Sequence, residues 1–301
     1  MADVEEGLTD ADLPGLYEAT DAASLEGQRR YVSAIRFSLI LAVVAAITGV
    51  FSWTVGARGI DLAAFGTALA LIGIAVLEIY VSSARPADQW YDGRAFAESA
   101  KSLAWRYSVG GTPFARQGDE EGSVRRRFGL QMSRLLEEAP QTSIKPSQRR
   151  VVTDRMAALR ASDLAIRKAA YLEFRIDDQQ KWYAAKAERN AGLAARWRTA
   201  LLFIEAAGIV AAIVKAFGYV NIDLAGVVAA VIAAGTAWAS LRQFSTLARA
   251  YTFAANELVI ARDRLELVDN EADWAAEVAD SEEAVSREHT MWRASRSRAS
   301  S

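Results

Sequence analysis

Residues Phe37–Ala57 read FSLILAVVAAITGVFSWTVGA, 21 positions without one ionisable side chain, bounded by Arg36 and Arg58. About 20 apolar residues carry a helix across a ~30 Å hydrocarbon layer, so the stretch predicts a membrane span over 37–57. Three further runs follow. Leu62–Ala84 is interrupted only by Glu78, Thr199–Val220 carries Glu205 and Lys215, and Leu224–Leu241 has no charge. A soluble bundle with two buried Ala-rich hairpins is the alternative, but soluble helices keep a polar stripe that the first and fourth runs lack. Sixty alanines against five prolines favour helix over sheet. The expected fold is all-α: a polytopic membrane protein with four transmembrane helices in two hairpins and a helical cytoplasmic bundle.

The links within each hairpin are short, Arg58–Asp61 and Asn221–Asp223, and Gly56, Gly59 and Gly218 supply turning freedom nearby. Basic residues set the orientation. Arg29, Arg30 and Arg36 precede the first span, and Arg85, Arg94 and Lys101 follow the second. Lys181, Lys186, Arg189, Arg196 and Arg198 precede the third, and Arg242 and Arg249 follow the fourth. The turns offer only Arg58, with Lys215 able to snorkel, so both termini and the central segment are expected in the cytoplasm. The first 28 residues are acidic and the first run is too long for a secretory h-region, so it is expected to stay as an anchor.

The second hairpin echoes the first at an offset of 162 residues. Ile60-Asp61-Leu62-Ala63 recurs as Ile222-Asp223-Leu224-Ala225, Gly56 as Gly218, and Arg36 as Arg198. Both hairpins enter from the same side, so the repeat is parallel, unlike the inverted repeats common in secondary transporters. The polar stretch 141–148, with Pro146, divides the halves. The expected organisation is an acidic segment 1–12, a first two-span domain 13–140, the linker 141–148, a second two-span domain 149–293, and a disordered tail 294–301. Between the hairpins, Trp90–Val109 is expected to continue the second span, Val109–Gly122 to form a loop, and Arg125–Glu138 a short helix. After the fourth span, Leu247, Tyr251, Ala254, Leu258, Ala261, Leu265 and Val268 alternate at spacings of four and three, the seam of coiled-coil or bundle packing.

Two longer motifs and two shorter ones carry a family resemblance. Leu13-Pro14-x-Leu16-Tyr17 leads to Ala23-Ser24 and Gln28-Arg29-Arg30-Tyr31. Ala97-Glu98-Ser99-x-Lys101-x-x-Ala104-Trp105-Arg106-Tyr107 follows the first hairpin, with Pro113-Phe114 after it. Tyr171-x-x-x-Arg175-Ile176-x-Asp178-Gln179-x-x-Trp182-Tyr183-x-x-Lys186-Ala187-x-x-Asn190 leads into the second, and Glu282–Trp292, with Ser286, Glu288 and His289, closes the chain. These stretches resemble a tandem pair of SLATT domains, the SMODS- and SLOG-associating two-transmembrane effector group of prokaryotes. The resemblance implies an oligomeric, pore-forming or membrane-disrupting effector of a nucleotide-signal-regulated anti-phage or conflict system. It implies the bacterial inner membrane as location and a separate nucleotide synthase or sensor as partner, because this chain carries neither.

The composition excludes much chemistry. With no cysteine and one histidine, His289, thiolate zinc sites, Cys nucleophiles and the usual His-based metal clusters are ruled out. A net charge of −2 gives no general field for nucleic acid. No cofactor, metal or catalytic residue is expected, and the chain reads as a non-enzyme. Gly110-Gly111-Thr112 lacks the Lys-Ser/Thr sequel of a phosphate loop and reads as a turn. Glu137-Glu138 and Glu282-Glu283 read as solvated surface, and Arg125-Arg126-Arg127 as either a solvated face or a contact for anionic lipid.

The sharpest candidates lie in the spans. Glu78 and Glu205 each stand about six residues from the cytoplasmic end of their span. They are expected to snorkel, to pair with Arg198 or Arg242, or to face water in a pore. Thr48, Ser52, Thr67 and Thr236 are further polar groups for a conduit, unless each bonds its own helix backbone. The candidate bundle or homo-oligomer seam comprises Tyr251, Leu258, Leu265, Trp105, Trp182 and Trp292, its partner being the helix around Tyr171–Asn190 or another subunit. The rival to a pore is a constitutive scaffold that anchors a cytoplasmic partner.

Overall fold

The computed structural model describes residues 7–57, 59–118, 120–139, 144–219 and 224–297, with the side chains of 284 and 286–297 outside the description. The chain is almost wholly helical, and four of its helices are long and apolar enough to cross a membrane. Helix α1 covers Gly15–Val50, and a small antiparallel ribbon follows, β1 (Thr54–Val55) with β2 (Ile60–Asp61). Then come α2 (Leu62–Ala84), α3 (Pro86–Val109) and α4 (Glu121–Glu138). Next are α5 (Asp154–Ala161) and α6 (Leu164–Tyr171), a π-helical stretch over Leu172–Asp177, and α7 (Asp178–Ala216). The series ends with α8 (Leu224–Arg242), α9 (Phe244–Glu266) and α10 (Glu271–Ser297).

Contacts divide the chain into two compact units, each drawing on both halves of the sequence. A membrane unit takes residues 29–87 and 188–248, and a helical body takes 1–28, 88–187 and 249–301. In the membrane unit, the most apolar window of each long helix is at most 11% buried. Phe37, Ile40, Val44, Ile47 and Phe51 stand exposed along one face of α1 and its end, and Leu202, Phe203, Ile209, Val210 and Ile213 along α7. Exposed apolar surface on this scale suits lipid, not water.

Within each hairpin, small residues let the helices close. A Cβ on Gly73 would lie 2.8 Å from Leu41 Cδ1, one on Gly208 2.6 Å from Val228 Cγ1, and one on Gly235 2.8 Å from Leu201 Cδ2. Such sites bring backbones together where no hydrophobic drive between helices exists in lipid.

Leu62–Ala84 forms one helix, whereas the helix of the first apolar run stops before its last residues. Helix α1 stops at Val50, and Phe51–Ala57 instead enters the ribbon turn. The cause is Asp61. Its carboxylate accepts the Ser52 hydroxyl at 2.9 Å and the Trp53 N–H at 3.1 Å, while capping α2 through the Ala63 and Ala64 N–H groups at 2.9 and 3.2 Å. Those four bonds unwind the end of α1 and start α2 with one side chain. Helix α7 likewise ends at Ala216, ahead of Gly218 at φ +77°, and 220–223, with Asp223, lie outside the described residues.

Trp90–Val109 does not simply continue the second span. Arg85 adopts a left-handed φ of 43°, and Pro86 opens α3, a position that tolerates its missing N–H. The fourth span ends in the same way, on Gln243 at φ 49° before α9. Both halves therefore leave the membrane through a break at a non-glycine left-handed residue.

The body is held by one apolar core. Trp105, Tyr107, Phe114, Phe128, Met156, Tyr171, Ile176, Tyr183, Leu258, Leu265, Trp274 and Val278 are buried in it. Tyr171 meets Trp105 and Trp274 edge-on, each at 5.8 Å between ring centroids, and Tyr107 stacks on Phe128 at 4.6 Å. Gly110-Gly111 is the close turn the sequence suggested. Gly110 sits at φ +82°, the Gly111 N–H returns to Arg106 O at 2.7 Å, and a Cβ on Gly111 would strike Val278 Cγ1 at 2.5 Å. Of the expected linker, 144–148 is non-helical and 141–143 lie outside the described residues. Helix α10 reaches Ser297, into the stretch expected as a tail.

Candidate functional site

Three of the candidate polar groups of the first hairpin, Thr48, Thr67 and Ser52, are spent on the hairpin itself. Thr48 Oγ1 and Thr67 Oγ1 lie 2.8 Å apart, bridging α1 to α2. Each is also within reach of a carbonyl of its own helix, Val44 O at 2.9 Å for Thr48 and Ala63 O at 3.1 Å for Thr67. A hydroxyl has one proton, so one threonine donates across and the other back to its helix. Ser52 belongs to the Asp61 turn. Backbone N–H donation from Trp53 and the other turn donors lower the Asp61 pKa, keeping the carboxylate ionised.

Glu78, Glu205 and Thr236 are exposed. Among the described ion pairs, neither carboxylate meets Arg198 or Arg242. The Arg242 guanidinium instead lies 5.9 and 5.8 Å from the Trp238 and Phe244 ring centres. Glu78 follows Leu77 in a less exposed stripe of Thr67, Ala70, Ile74, Leu77 and Val81. Glu205 follows Ile204 in the stripe Trp197, Leu201, Ile204, Gly208 and Ala211. One residue is about 100° of helix rotation, which puts both carboxylates on the flank of the packed stripe of their helix.

The body contains a second polar system that sequence analysis did not identify. Three arginines from one stretch, Arg160, Arg167 and Arg175, are 2%, 0% and 1% exposed. Arg160 donates through Nη1 to Tyr107 O and Phe114 O, both at 2.8 Å, and through Nε to Glu121 at 2.7 Å. Arg167 donates to Val109 O at 2.7 Å and pairs with Glu271, while Trp274 Nε1 donates to the same Val109 O at 2.8 Å. The carbonyls left open at the end of α3 are thus satisfied by two guanidinium groups and an indole, with positive charge at the negative end of the helix.

Arg175 lies in the π-helical stretch and clasps Glu282 of α10. Nε donates to Oε1 at 2.9 Å and Nη2 to Oε2 at 2.7 Å. Ser102 Oγ donates to Oε2 at 2.7 Å and Tyr171 OH to Oε1 at 3.0 Å, so the carboxylate receives four bonds. Burial alone would lower the Arg175 pKa, but the facing Glu282 charge outweighs it and the net shift is upward. For Arg167, burial prevails over the Glu271 contact and the shift is downward. Burial, then the Glu282 charge, push the Tyr171 hydroxyl well above its ordinary range. Glu282 is 1% exposed, so the solvated-surface reading of Glu282-Glu283 is corrected for its first member. Adjacent helical positions face about 100° apart, and Glu283 alone points to solvent.

Most of the described seam residues pack inside the chain, while Trp182 stays 37% exposed. Tyr251 packs on Trp182 and Tyr183, with ring centroids at 5.5 and 5.6 Å. Leu258 is 2% exposed, Leu265 fully buried, and Trp105 lies against Tyr171. The Trp292 side chain lies outside the described residues. Among the described residues the arrangement clamps helices together through arginine–carboxylate pairs, although Arg160 Nη2, Arg175 Nη1 and Glu271 Oε2 are buried without a hydrogen-bond partner. Among the described residues no group of three His, Asp or Glu side chains could hold a metal ion. Two signals were available for the missed groups: Arg160, Arg167 and Arg175 recur on the face shared by Met156, Leu159, Ala170 and Tyr171, and Asp61 precedes an apolar helical run, as an N-cap does.

No curated protein and no solved structure matches the chain significantly. Two family models do match. SMODS and SLOG-associating 2TM effector domain 3 covers residues 14–168, and SMODS and SLOG-associating 2TM effector domain 1 covers 171–292. The first takes in α1 to α5 and the start of α6 with one hairpin, and the second α7 to α9 and most of α10 with the other. Arg175 and Glu282 fall in the second range, whereas Trp105, Arg160 and Arg167, packed in the same body, fall in the first. The chain therefore belongs to the SLATT family of two-transmembrane effector domains and carries two of them in tandem.

Proposed function

We propose that the protein is an oligomeric effector that permeabilises the bacterial inner membrane in a nucleotide-signal-regulated conflict system. Both termini and the helical body lie in the cytoplasm, and a separate synthase or sensor chain supplies the signal. The carrying observation is the tandem of two-span effector domains, whose four long helices have apolar windows at most 11% buried. Two paired hairpins have too few helices to enclose a wide aqueous path, so permeabilisation requires several chains. Glu78 and Glu205, with no arginine partner among the described residues and flanking the packed stripes, are the groups an assembly can bring to water, where rings of carboxylate favour cations. The effector acts without catalysis and without cofactor. Leakage of a trapped dye or of potassium from proteoliposomes tests the proposal, together with arrest of growth on induction. Tight vesicles at high protein density, with induced cells growing normally, would refute it.

A second reading, a constitutive scaffold for a cytoplasmic partner, is favoured by the commitment of Thr48, Thr67 and Ser52 to bonds within the hairpin. On that reading the same vesicles stay tight while the protein still retains its partner at the membrane.

A further inference from the structure

We infer that the solvent face of α4 docks onto the outer face of α10 in a second copy of this chain, head to tail. The inference rests on the oligomeric reading above and names its interface. Helix α4 buries Val124, Phe128 and Met132 and turns the opposite side outward. Arg126, Leu130 and Arg134 run along that side at successive i, i+4 positions, with Arg125 on its flank. Leu130 is 62% exposed between the two arginines. None of these arginines has an ion pair among the described residues, and Arg126 reaches only Ser123 of its own helix.

Helix α10 offers the complement. It buries Trp274, Ala275, Val278, Ser281 and Glu282, and presents Asp273, Ala276, Asp280 and Glu283 outward. Asp280 and Glu283 have no ion pair among the described residues, and Asp273 meets only Asn270. At 1.5 Å per residue, Arg126 and Arg134 stand about 12 Å apart along the axis, and Asp273 and Asp280 about 10 Å. Arginine side chains span the difference. Ala276 leaves a shallow gap between the two aspartates where Leu130 fits. An Arg-Leu-Arg ridge thus meets an Asp-Ala-Asp trough, matched in charge, length and relief.

The two faces belong to the same body yet, among the described residues, form no ion pair with each other. Two different patches on one molecule make a heterologous contact, which propagates from copy to copy and closes into a ring when the rotation allows. A contact of this kind gathers several hairpin pairs in one place. It also spares the Tyr251–Leu265 seam, already filled within the chain.

Charge reversal with reciprocal rescue tests it on the full chain in nanodiscs and mild detergent, with mass read by light scattering. Arg126→Glu with Arg134→Glu is expected to reduce the assembly to single chains, as is Asp273→Arg with Asp280→Arg. All four reversals in one chain, or a mixture of the two double variants, are expected to restore the assembly. All four positions are exposed, and unchanged far-UV circular dichroism verifies folding. Arg126→Gln with Arg134→Gln supplies a milder variant with an intermediate loss. Unchanged mass in both double variants, or failure of the fourfold reversal to reassemble, overturns the inference. If the α4 reversal leaves mass unchanged and instead weakens binding to phosphatidylglycerol vesicles, α4 meets lipid and the inference is again overturned. Failure of the effector reading is distinct: wild-type protein is then assembled but its vesicles do not leak.

Discussion

Replacing Arg175 with methionine isolates the buried clasp. In the native body Glu282 receives four hydrogen bonds, two from Arg175, one from Ser102 and one from Tyr171. Arg175→Met leaves the carboxylate 1% exposed with only the two neutral donors. Breaking a buried pair from one side costs roughly 3–5 kcal/mol, whereas replacing both partners by apolar side chains of similar volume is often neutral or stabilising. Arg175→Met is therefore expected to lose about 3–5 kcal/mol, and Arg175→Met with Glu282→Leu to recover most of it. At about 2–4 °C per kcal/mol for a domain of 150–250 residues, the single variant melts about 6–20 °C lower. Near-ultraviolet circular dichroism of the full chain in detergent reads this directly, because Trp105 and Trp274 both contact Tyr171. A single variant that melts with the wild type, or a double variant as labile as the two single losses added, would refute the reasoning. In the first case the charges are not desolvated; in the second they do not act as a pair.

Leu258→Asp and Leu265→Asp place an unpaired carboxylate in the body core. They are expected to abolish the near-ultraviolet signal; a smaller oligomer with an intact body would contradict this placement. Gly208→Leu drives a side chain into Val228, whereas Gly226 has nothing within 4 Å of an added Cβ. The first is expected to cut the yield of folded protein in detergent, and Gly226→Leu to be tolerated. Burial lifts the Tyr17, Tyr107 and Tyr171 hydroxyls above their ordinary value of 10.0, before any effect of nearby carboxylates. A raised folded pKa contributes stability that is full below the unfolded value and is lost as pH climbs through the folded one. Thermal stability of the body is thus expected to fall as pH rises above 10, beyond what an equally charged but tyrosine-poor control shows.

The spans were legible because lipid imposes a rule on composition that needs no partner to be known. Leu62–Ala84 is found as helix α2 with the bounds its sequence suggests. The end of the first span was not legible, since hydropathy counts Phe51–Ala57 as apolar whatever its backbone does, and Asp61 decides that backbone from beyond the turn. The a/d pattern of α9 gave the buried face, although the pattern alone does not distinguish an internal partner from a second subunit; Trp182 and Tyr183 supply an internal one. The arginine clamp was hidden for another reason. Arg167 and Arg175 look like ordinary helical surface until carboxylates 104 and 107 residues away come into contact. Glu282 was obscured by its neighbour, because a pair of adjacent acids suggests water for both when only one faces it.

Those long separations have a consequence for biosynthesis. Arg175 is synthesised before the third and fourth spans, and Glu282 follows 107 residues later. At 5–20 residues per second, the guanidinium waits about 5–20 s for its carboxylate. The body draws on 1–28, 88–187 and 249–301, so its core remains incomplete until the last helix is made. The second hairpin is thus synthesised before the body can close. A message cut short before α10 yields hairpins without a finished body, and nascent chains do not become complete effectors one domain at a time.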